Sequence, residues 1–166
     1  MTTAVLSIGS NMGDRLAHLQ SAVDGLPALA VSSVYETAPW GVTDQDDFLN
    51  AIVIASREDF GEWDWLRLAQ ELENAAGRVR EVRWGPRSLD VDVITVTGVT
   101  STDPRLELPH PRAHERAFVL VPWLELQPDA ELPGHGPIAD LVAALGYPKQ
   151  GDEGVRRRDD LKLEAV

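Results

Sequence analysis

The sequence contains no cysteine and only two lysines, and each shortage excludes a class of chemistry. Without cysteine there is no disulfide, no catalytic thiolate and no Cys-ligated zinc or iron–sulfur site. Lys149 and Lys162 both lie near the C-terminus, so the folded body is not expected to use a phosphate-loop or Schiff-base lysine. The N-terminal segment lacks a basic stretch followed by a long apolar run, and we expect a cytoplasmic protein without a membrane anchor.

Basic residues are also few: 15 Lys and Arg stand against 27 Asp and Glu, for a net charge of −12. So negative a chain is not expected to bind nucleic acid or an anionic membrane, because phosphate backbones need a broad positive surface. Four arginines are nevertheless concentrated in ten residues, at Arg78, Arg80, Arg83 and Arg87. Guanidinium groups match phosphate oxygens, so this cluster predicts an anionic small ligand.

The length and the order of predicted elements favour one α+β domain. At 166 residues the chain is long enough for one core. Apolar patterns predict strands at 4–8, 29–37, 48–56 and 90–97. They also predict a first helix with Asp14 in its first turn and apolar residues from Leu16 to Leu26, and a second helix at 62–77. This strand–helix–strand–strand–helix–strand order is that of the ferredoxin-like βαββαβ sandwich, with helices on one face of the sheet and the other face free for ligand.

The remaining elements are predicted with less regular patterns. Ser10 or Asn11 is expected to cap the first helix. A helix over 112–120 is expected to end before Pro122, followed by a short strand at 124–126 and a last helix at 138–145. We expect residues 1–146 to form a single, monomeric domain and residues 147–166 to form a charged, mobile tail.

Two aspartates open the fourth strand. Residues two apart in a strand lie on one face, about 7 Å apart, so Asp90 and Asp92 project side by side. Carboxylates combined with substrate phosphates are ligands that Mg²⁺ takes in proteins. Beside the arginine cluster they indicate a metal-bound polyphosphate, although a solvated strand end with surface ion pairs explains the pair equally well.

Three polar features permit more than one interpretation. Asn50 lies among apolar neighbours on its strand, where a buried amide either bonds to local backbone or binds a ligand. The turn at 9–13 resembles a phosphate loop, but Asp14 occupies the position of the lysine, which favours a helix cap and a point of close packing. His110 is interpreted from its position as a capping residue before a helix.

Four segments together resemble the signature blocks of one family. They are residues 7–15 (SIGSNMGDR), residues 37–50 (TAPWG, then Gln45 and FLN), residues 78–92 (RVREVRWGPRSLDVD) and residues 108–118 (LPHP, then RAF). The family is 6-hydroxymethyl-7,8-dihydropterin pyrophosphokinase of the folate pathway, and the resemblance covers roughly residues 4 to 145.

The resemblance implies transfer of pyrophosphate from MgATP to the hydroxymethyl group of the pterin, with release of AMP. It implies that Asp90 and Asp92 hold two Mg²⁺ ions and that Arg78 and Arg87 contact the triphosphate and assist the transfer. Around ATP it implies Gln70, Glu73, Arg80, Arg83, Trp84, His110 and Arg116, with Glu73 as a supporting carboxylate. Around the pterin it implies Thr37, Trp40, Phe48, Asn50 and Phe118.

The chain departs from the family pattern at three positions. Phe48 stands where a tyrosine often occurs, Ala38 replaces a common proline, and Glu81 lies where some members have a lysine, in a loop one residue shorter. Two other functions are kept as alternatives. One is another two-metal nucleotidyltransferase; the other is a non-catalytic ferredoxin-like nucleotide-binding module.

Overall fold

The structure is a computed structural model of the chain and describes residues 2–37, 47–77, 88–146 and 155–165. The strands in these ranges are β1 (Thr2–Ser10), β2 (Ala28–Val31), β3 (Tyr35–Thr37), β4 (Phe48–Arg57), β5 (Asp90–Val96), β6 (Ser101–Asp103), β7 (Leu106–Leu108), β8 (Glu131–Leu132), β9 (Gly136–Pro137) and β10 (Arg156–Arg157). The helices are α1 (Arg15–Gly25), α2 (Glu62–Ala75), α3 (Ala117–Leu126) and α4 (Ile138–Ala144), with a 3₁₀-helix at Ala113–Glu115. In this part of the chain, no helix is long and apolar enough to cross a membrane.

A six-stranded antiparallel sheet forms the centre of the molecule. Its order is β10-β3-β4-β1-β5, and β2 also pairs with β4. Strand β1 lies between β4 and β5, and its residues from 4 to 10 are all buried. Its register places Gly9 opposite both Asn50 and Asp90. Directly opposed residues share a face of the sheet, so these two polar side chains lie on the same face, on either side of Gly9.

Helices cover both faces of the sheet. On one face the strands pack against α1 and α2 around Trp65, and on the other they pack against α3 and α4 around Trp123. The prediction of a face left free for ligand is therefore wrong, because Val5, Ile52 and Ile94 on that face are themselves apolar and buried under α3 and α4. The end of the same face next to Gly9 carries polar side chains instead.

Helix α3 also differs from its prediction. It runs from Ala117 to Leu126 with Pro122 inside it, so the expected stop at Pro122 and the expected strand at 124–126 are both wrong. A proline inside a helix costs about 3 kcal/mol. Burial of Leu120, Pro122 and Trp123 against the sheet offsets that cost through the hydrophobic effect.

Two smaller differences concern local hydrogen bonds. Helix α1 is capped by Asp14, whose carboxylate accepts from the Ala17 amide at 3.1 Å, and not by Ser10 or Asn11. The predicted strand at 29–37 is divided into β2 and β3. Between them Ser32 turns its hydroxyl towards β4, where it accepts from the Ile52 amide at 2.9 Å.

Residues 155–165 lie against the domain, which differs from the expected mobile tail. Strand β10 pairs with β3, and Leu161 and Leu163 pack against the main core. The composition of this segment did not predict the contact because most of its side chains are charged. The expected domain boundary at residue 146 stays a prediction, since 147–154 lie outside the described residues.

Two tryptophans on α2 provide a matched test of this core. Trp65 is fully buried, donates from Nε1 to the Thr2 hydroxyl at 2.8 Å and meets the Phe60 ring edge-on, whereas Trp63 is 37% exposed. We expect Trp65→Ala to lower the free energy of unfolding by about 3–5 kcal/mol, because it leaves a cavity. Trp63→Ala should change it by less than about 1 kcal/mol. Urea denaturation measures both, and equal losses would contradict this packing.

Candidate active site

Asp90 and Asp92 project from β5 on the face that also carries Asn50. Both are half-buried, and the Asp92 side chain is 40% exposed. Val91, between them, points into the core beneath, as strand alternation requires. The two carboxylates therefore lie side by side at the end of the sheet, as the sequence predicts.

Glu73 of α2 contacts this part of β5 from the opposite face of the sheet. Its side chain is almost entirely buried, and Oε2 accepts a hydrogen bond from the Val91 amide at 2.9 Å. The sequence placed Glu73 on a stripe of the helix that leads to Arg78 and Arg80. In the structure the Glu73 side chain points into the interface between α2 and β5, where it fixes the backbone that carries both aspartates.

Arg116 connects the carboxylates to an aromatic side chain. Its Nη1 lies 3.9 Å from Asp92 Oδ2, and its guanidinium lies over the Phe118 ring, 5.5 Å from the centroid. Arg116 precedes the first residue of α3, and Phe118 lies in the first turn of that helix. The start of α3 thus places the Arg116 guanidinium and the Phe118 ring at the end of the sheet that carries Asp92.

On the other side of Gly9, Asn50 and Thr37 form a buried polar pair. Asn50 Nδ2 donates to Thr37 Oγ1 at 2.7 Å. The bond fixes the orientation of the Asn50 amide, and Phe48 lies next to it, paired with Thr37 across β3 and β4. The interpretation of Asn50 as bonded only to local backbone is therefore wrong, because its partner is a side chain 13 residues away.

Gly9 is a site residue that the sequence analysis did not identify as such. A Cβ at this position would lie 2.9 Å from Asn50 Oδ1 and 3.6 Å from the Phe48 ring. The Asn50 amide can therefore occupy its position only because residue 9 has no side chain. A glycine inside a strand often marks such a close approach, and this signal was present in the sequence.

His110 is held as a neutral ring. Its amide donates to the Ile94 carbonyl at 2.8 Å, and its Nδ1 accepts from the Arg112 amide at 3.2 Å. Burial, followed by the positive charges of Arg116 and Arg112, lowers the pKa of His110 to about 4, against a smaller opposing effect of Glu107. With Nδ1 as acceptor, the proton of the neutral ring resides on Nε2. The N-cap of the 3₁₀-helix that follows is Arg112, without a side-chain cap bond, so the interpretation of His110 as a helix-capping residue is wrong, and the Arg112 bond closes a local turn before that helix.

The other predicted site residues divide into two groups. Gln70 is described and lies exposed on α2, one turn before Glu73. Arg78, Arg80, Arg83, Trp84, Arg87 and Trp40 lie outside the described residues, as do the departures at Ala38 and Glu81.

The donor set suits magnesium completed by a substrate. Within the described ranges no group of three or more His, Cys, Asp or Glu side chains could hold a metal ion. Two adjacent carboxylates are nevertheless what Mg²⁺ takes from a protein when phosphate oxygens and waters supply its other ligands. Asp90 and Asp92 fit that requirement.

Comparisons with known proteins agree on one family. The family model described as 7,8-dihydro-6-hydroxymethylpterin-pyrophosphokinase (HPPK) matches residues 5–128. A relative from Mycobacterium leprae (strain TN), named 2-amino-4-hydroxy-6-hydroxymethyldihydropteridine pyrophosphokinase, is 54% identical in an alignment of 170 positions that covers 94% of this chain and 88% of that protein. A relative of the same name from Mycobacterium tuberculosis (strain ATCC 25618 / H37Rv) is 50% identical in an alignment of 159 positions that covers 87% of this chain and 85% of that protein.

A solved structure agrees at the level of the fold. The crystal structure of Plasmodium falciparum HPPK-DHPS matches with a TM-score of 0.73 over 94% of this chain and 48% of that chain. Sequence identity is 13%, so this similarity concerns the fold alone.

The Glu73 contact generates a stability prediction. We expect Glu73→Ala to lower the free energy of unfolding by about 1–3 kcal/mol, because it leaves the buried Val91 amide without its carboxylate partner. Glu73→Gln retains an acceptor oxygen and should lose less. Urea denaturation compares the two with Glu71→Ala, an exposed position on the same helix. Equal losses for Glu73→Ala and Glu71→Ala would contradict the bracing role.

Proposed function

This chain belongs to the 7,8-dihydro-6-hydroxymethylpterin-pyrophosphokinase family, and we propose that it carries out the family's reaction at the Gly9 end of the sheet. Pyrophosphate passes from MgATP to the hydroxymethyl group of 6-hydroxymethyl-7,8-dihydropterin, a step of folate biosynthesis. The hydroxyl oxygen bonds to the β-phosphorus and gives up its proton, the bond from the β-phosphorus to the α-phosphate oxygen breaks, and AMP leaves. Family membership favours neither another nucleotidyltransferase nor a non-catalytic binding module.

The observation that carries the proposed site is the register of β1. It brings the Asn50 amide and the Asp90 carboxylate to one face, on opposite sides of Gly9. An amide suits the donor and acceptor edge of a pterin, and a carboxylate suits a metal-bound phosphate. Holding the two substrates on the two strands that flank β1 would orient the hydroxyl for attack, and orientation supplies much of the rate in such reactions.

We assign the pterin to the Asn50 side. Asn50 is orientated by Thr37 and presents its amide to the edge of the ring. Phe48 and Phe118 supply aromatic faces, and Trp40 completes the proposed set. Because Phe48 lacks the hydroxyl that a tyrosine would offer, polar recognition depends more heavily on Asn50.

We assign the ATP phosphates to the aspartate side. Asp90 and Asp92 would hold two Mg²⁺ ions, which neutralise phosphate charge as it moves during transfer. Arg116 adds positive charge beside Asp92. His110 stays neutral near pH 7, so its Nε2–H is a donor suited to a phosphate or base acceptor.

The remaining proposed ATP contacts follow the family resemblance. Arg78 and Arg87 would assist transfer. Gln70, Arg80, Arg83 and Trp84 would contact ATP, and Glu73 would act through β5 and not by touching ATP.

Three broader properties are part of the same proposal. The order β5-β1-β4-β3 with α1 and α2 on one face supports a ferredoxin-like core extended by the C-terminal elements. A monomer is supported by the small number of large hydrophobic side chains exposed in the described ranges, which are Met12, Leu29 and Trp63. The proposed location is the cytoplasm, where ATP is abundant.

The experiment that tests the reaction is chromatographic detection of AMP formed from ATP and Mg²⁺, with and without 6-hydroxymethyl-7,8-dihydropterin. We expect AMP to form only with the pterin, in equal amount to a pyrophosphorylated pterin. Binding of a non-hydrolysable ATP analogue without any turnover would instead indicate the non-catalytic module.

Asp92 tests the assignment of the metal ligands. Asp92→Asn weakens one proposed ligand, and we expect kcat to fall by about 10³-fold while pterin affinity changes little. Steady-state kinetics and equilibrium pterin binding measure the two effects. Asp129→Asn, at an exposed position, is the control. Near-normal turnover of Asp92→Asn would overturn the assignment.

Gly9 tests the assignment of the pterin side. In Gly9→Ala the new methyl group would displace the Asn50 amide, and we expect the KM for the pterin to rise about tenfold with little change in the KM for ATP. Gly61→Ala is the matched control, because a Cβ there meets only Asp64 Oδ2, at 3.9 Å. An unchanged pterin KM in Gly9→Ala would show that the Asn50 amide does not bind the ring.

A further inference from the structure

A cluster of charged side chains lies next to the proposed pterin pocket and is not part of it. Its members, here called the Glu36 cluster, are Arg15, Glu36, Asp47, Arg156 and Arg158. Glu36 is bonded by all three arginines: Arg15 at 2.9 Å, Arg156 at 3.0 Å and Arg158 at 3.2 Å. Arg156 also bonds Asp47 at 2.8 Å, and Arg15 donates to the Asp47 carbonyl at 2.8 Å.

The Glu36 cluster is more protected than an ordinary surface ion pair. The Glu36 side chain is only 14% exposed. Burial alone would raise the pKa of Glu36, but the Arg15 hydrogen bond and the charges of Arg158, Arg15 and Arg156 outweigh it, so the pKa is lowered. A carboxylate with three guanidinium partners remains charged near pH 7. Partly buried pairs of this kind are screened by salt less than exposed ones.

The two carboxylates of the cluster adjoin two pocket residues. Glu36 immediately precedes Thr37 on β3, and Asp47 immediately precedes Phe48 on β4. Thr37 and Phe48 are directly paired across the two strands. One atom, Arg156 Nη2, bonds both Glu36 and Asp47 and so ties the ends of these strands together.

Arg156 is itself held by the segment that carries it. Strand β10 pairs with β3, and the Arg158 amide donates to the Val34 carbonyl at 2.7 Å. Further along, Gln20 of α1 makes two bonds to the Glu164 backbone, at 2.8 and 3.0 Å. Leu161 and Leu163 pack on the core between these contacts. The segment 155–165 therefore presents Arg156 from a fixed position.

We infer that Arg156 is a positioning residue for the pterin pocket, acting through Glu36 and Asp47 to fix the spacing of Thr37 and Phe48. This inference rests on the proposed function of the site. Arg156 touches neither substrate in this scheme; it keeps β3 and β4 aligned where they carry the pocket. Its loss should affect pterin binding selectively, since Asp90 and Asp92 lie on the far side of β1.

The test compares three variants of the full chain. Arg156→Gln removes the charge that bridges the carboxylates. Arg156→Lys retains it, and because a single nitrogen of Arg156 makes both contacts, an ammonium group can replace it. Arg157→Gln is the matched control: it lies on the same strand, is exposed, and pairs with Asp159 at 2.6 Å and with Glu125 at 3.9 Å instead of with the carboxylates of the Glu36 cluster. The probes are 6-hydroxymethyl-7,8-dihydropterin and MgATP in steady-state kinetics.

For Arg156→Gln we expect the KM for the pterin to rise about five- to tenfold, with kcat and the KM for ATP unchanged. Arg156→Lys and Arg157→Gln should both remain close to wild type. A merely structural role would lower the active fraction, and so kcat, without raising the pterin KM. An unchanged pterin KM in Arg156→Gln, with or without a lower kcat, would overturn the inference. An equal rise of the pterin KM in Arg157→Gln would overturn it too.

Amide hydrogen exchange in the absence of substrate separates this inference from the proposed reaction. Absence of turnover in the wild-type protein would refute the reaction. Exchange at residues 35–37 and 48–50 would still test the positioning role, since Arg156→Gln should accelerate it while Arg157→Gln should not. Equal exchange in both variants would overturn the positioning role whatever the reaction proves to be.

Discussion

The site depends on one constraint, the hydrogen-bonded register of β1 between β4 and β5. This register sets Gly9 opposite Asn50 on one side and Asp90 on the other. Because side chains alternate along a strand, a slip of one residue would send Asn50 or both aspartates to the opposite face. Strand β1 is buried on both faces, and that burial specifies the register strongly. The hydrophobic pattern of the central strand therefore determines which polar groups can act together.

The surrounding elements fix the side chains that the register brings together. Glu73 of α2 holds the β5 backbone, Thr37 orientates the Asn50 amide, and the start of α3 supplies Arg116 and Phe118. Each buried polar group among them has a partner, which lowers the cost of burying it. Groups held in this way need little reorganisation when substrates bind, and such preorganisation is a main source of catalytic rate.

The sequence predicted the parts of the fold that rest on local patterns. Strand β4, strand β5, helix α2 and the neighbouring positions of Asp90 and Asp92 all follow from periodicity. Features that depend on distant contacts were missed. Pro122 remains inside α3 because the sheet buries that helix, and Arg156 meets Glu36 across 120 residues of sequence. The role of Gly9 depends on Asn50, which only the pairing of β1 with β4 brings beside it.

The most direct test of the arrangement is a crystal structure with a non-hydrolysable ATP analogue, Mg²⁺ and 6-hydroxymethyl-7,8-dihydropterin bound. We predict that the pterin edge meets the Asn50 amide and that the metal-bound phosphates meet Asp90 and Asp92, with both ligands on the same face of the sheet. A pterin bound away from Asn50, or phosphates bound away from the two aspartates, would contradict the assignment of the two substrates to the two sides of Gly9.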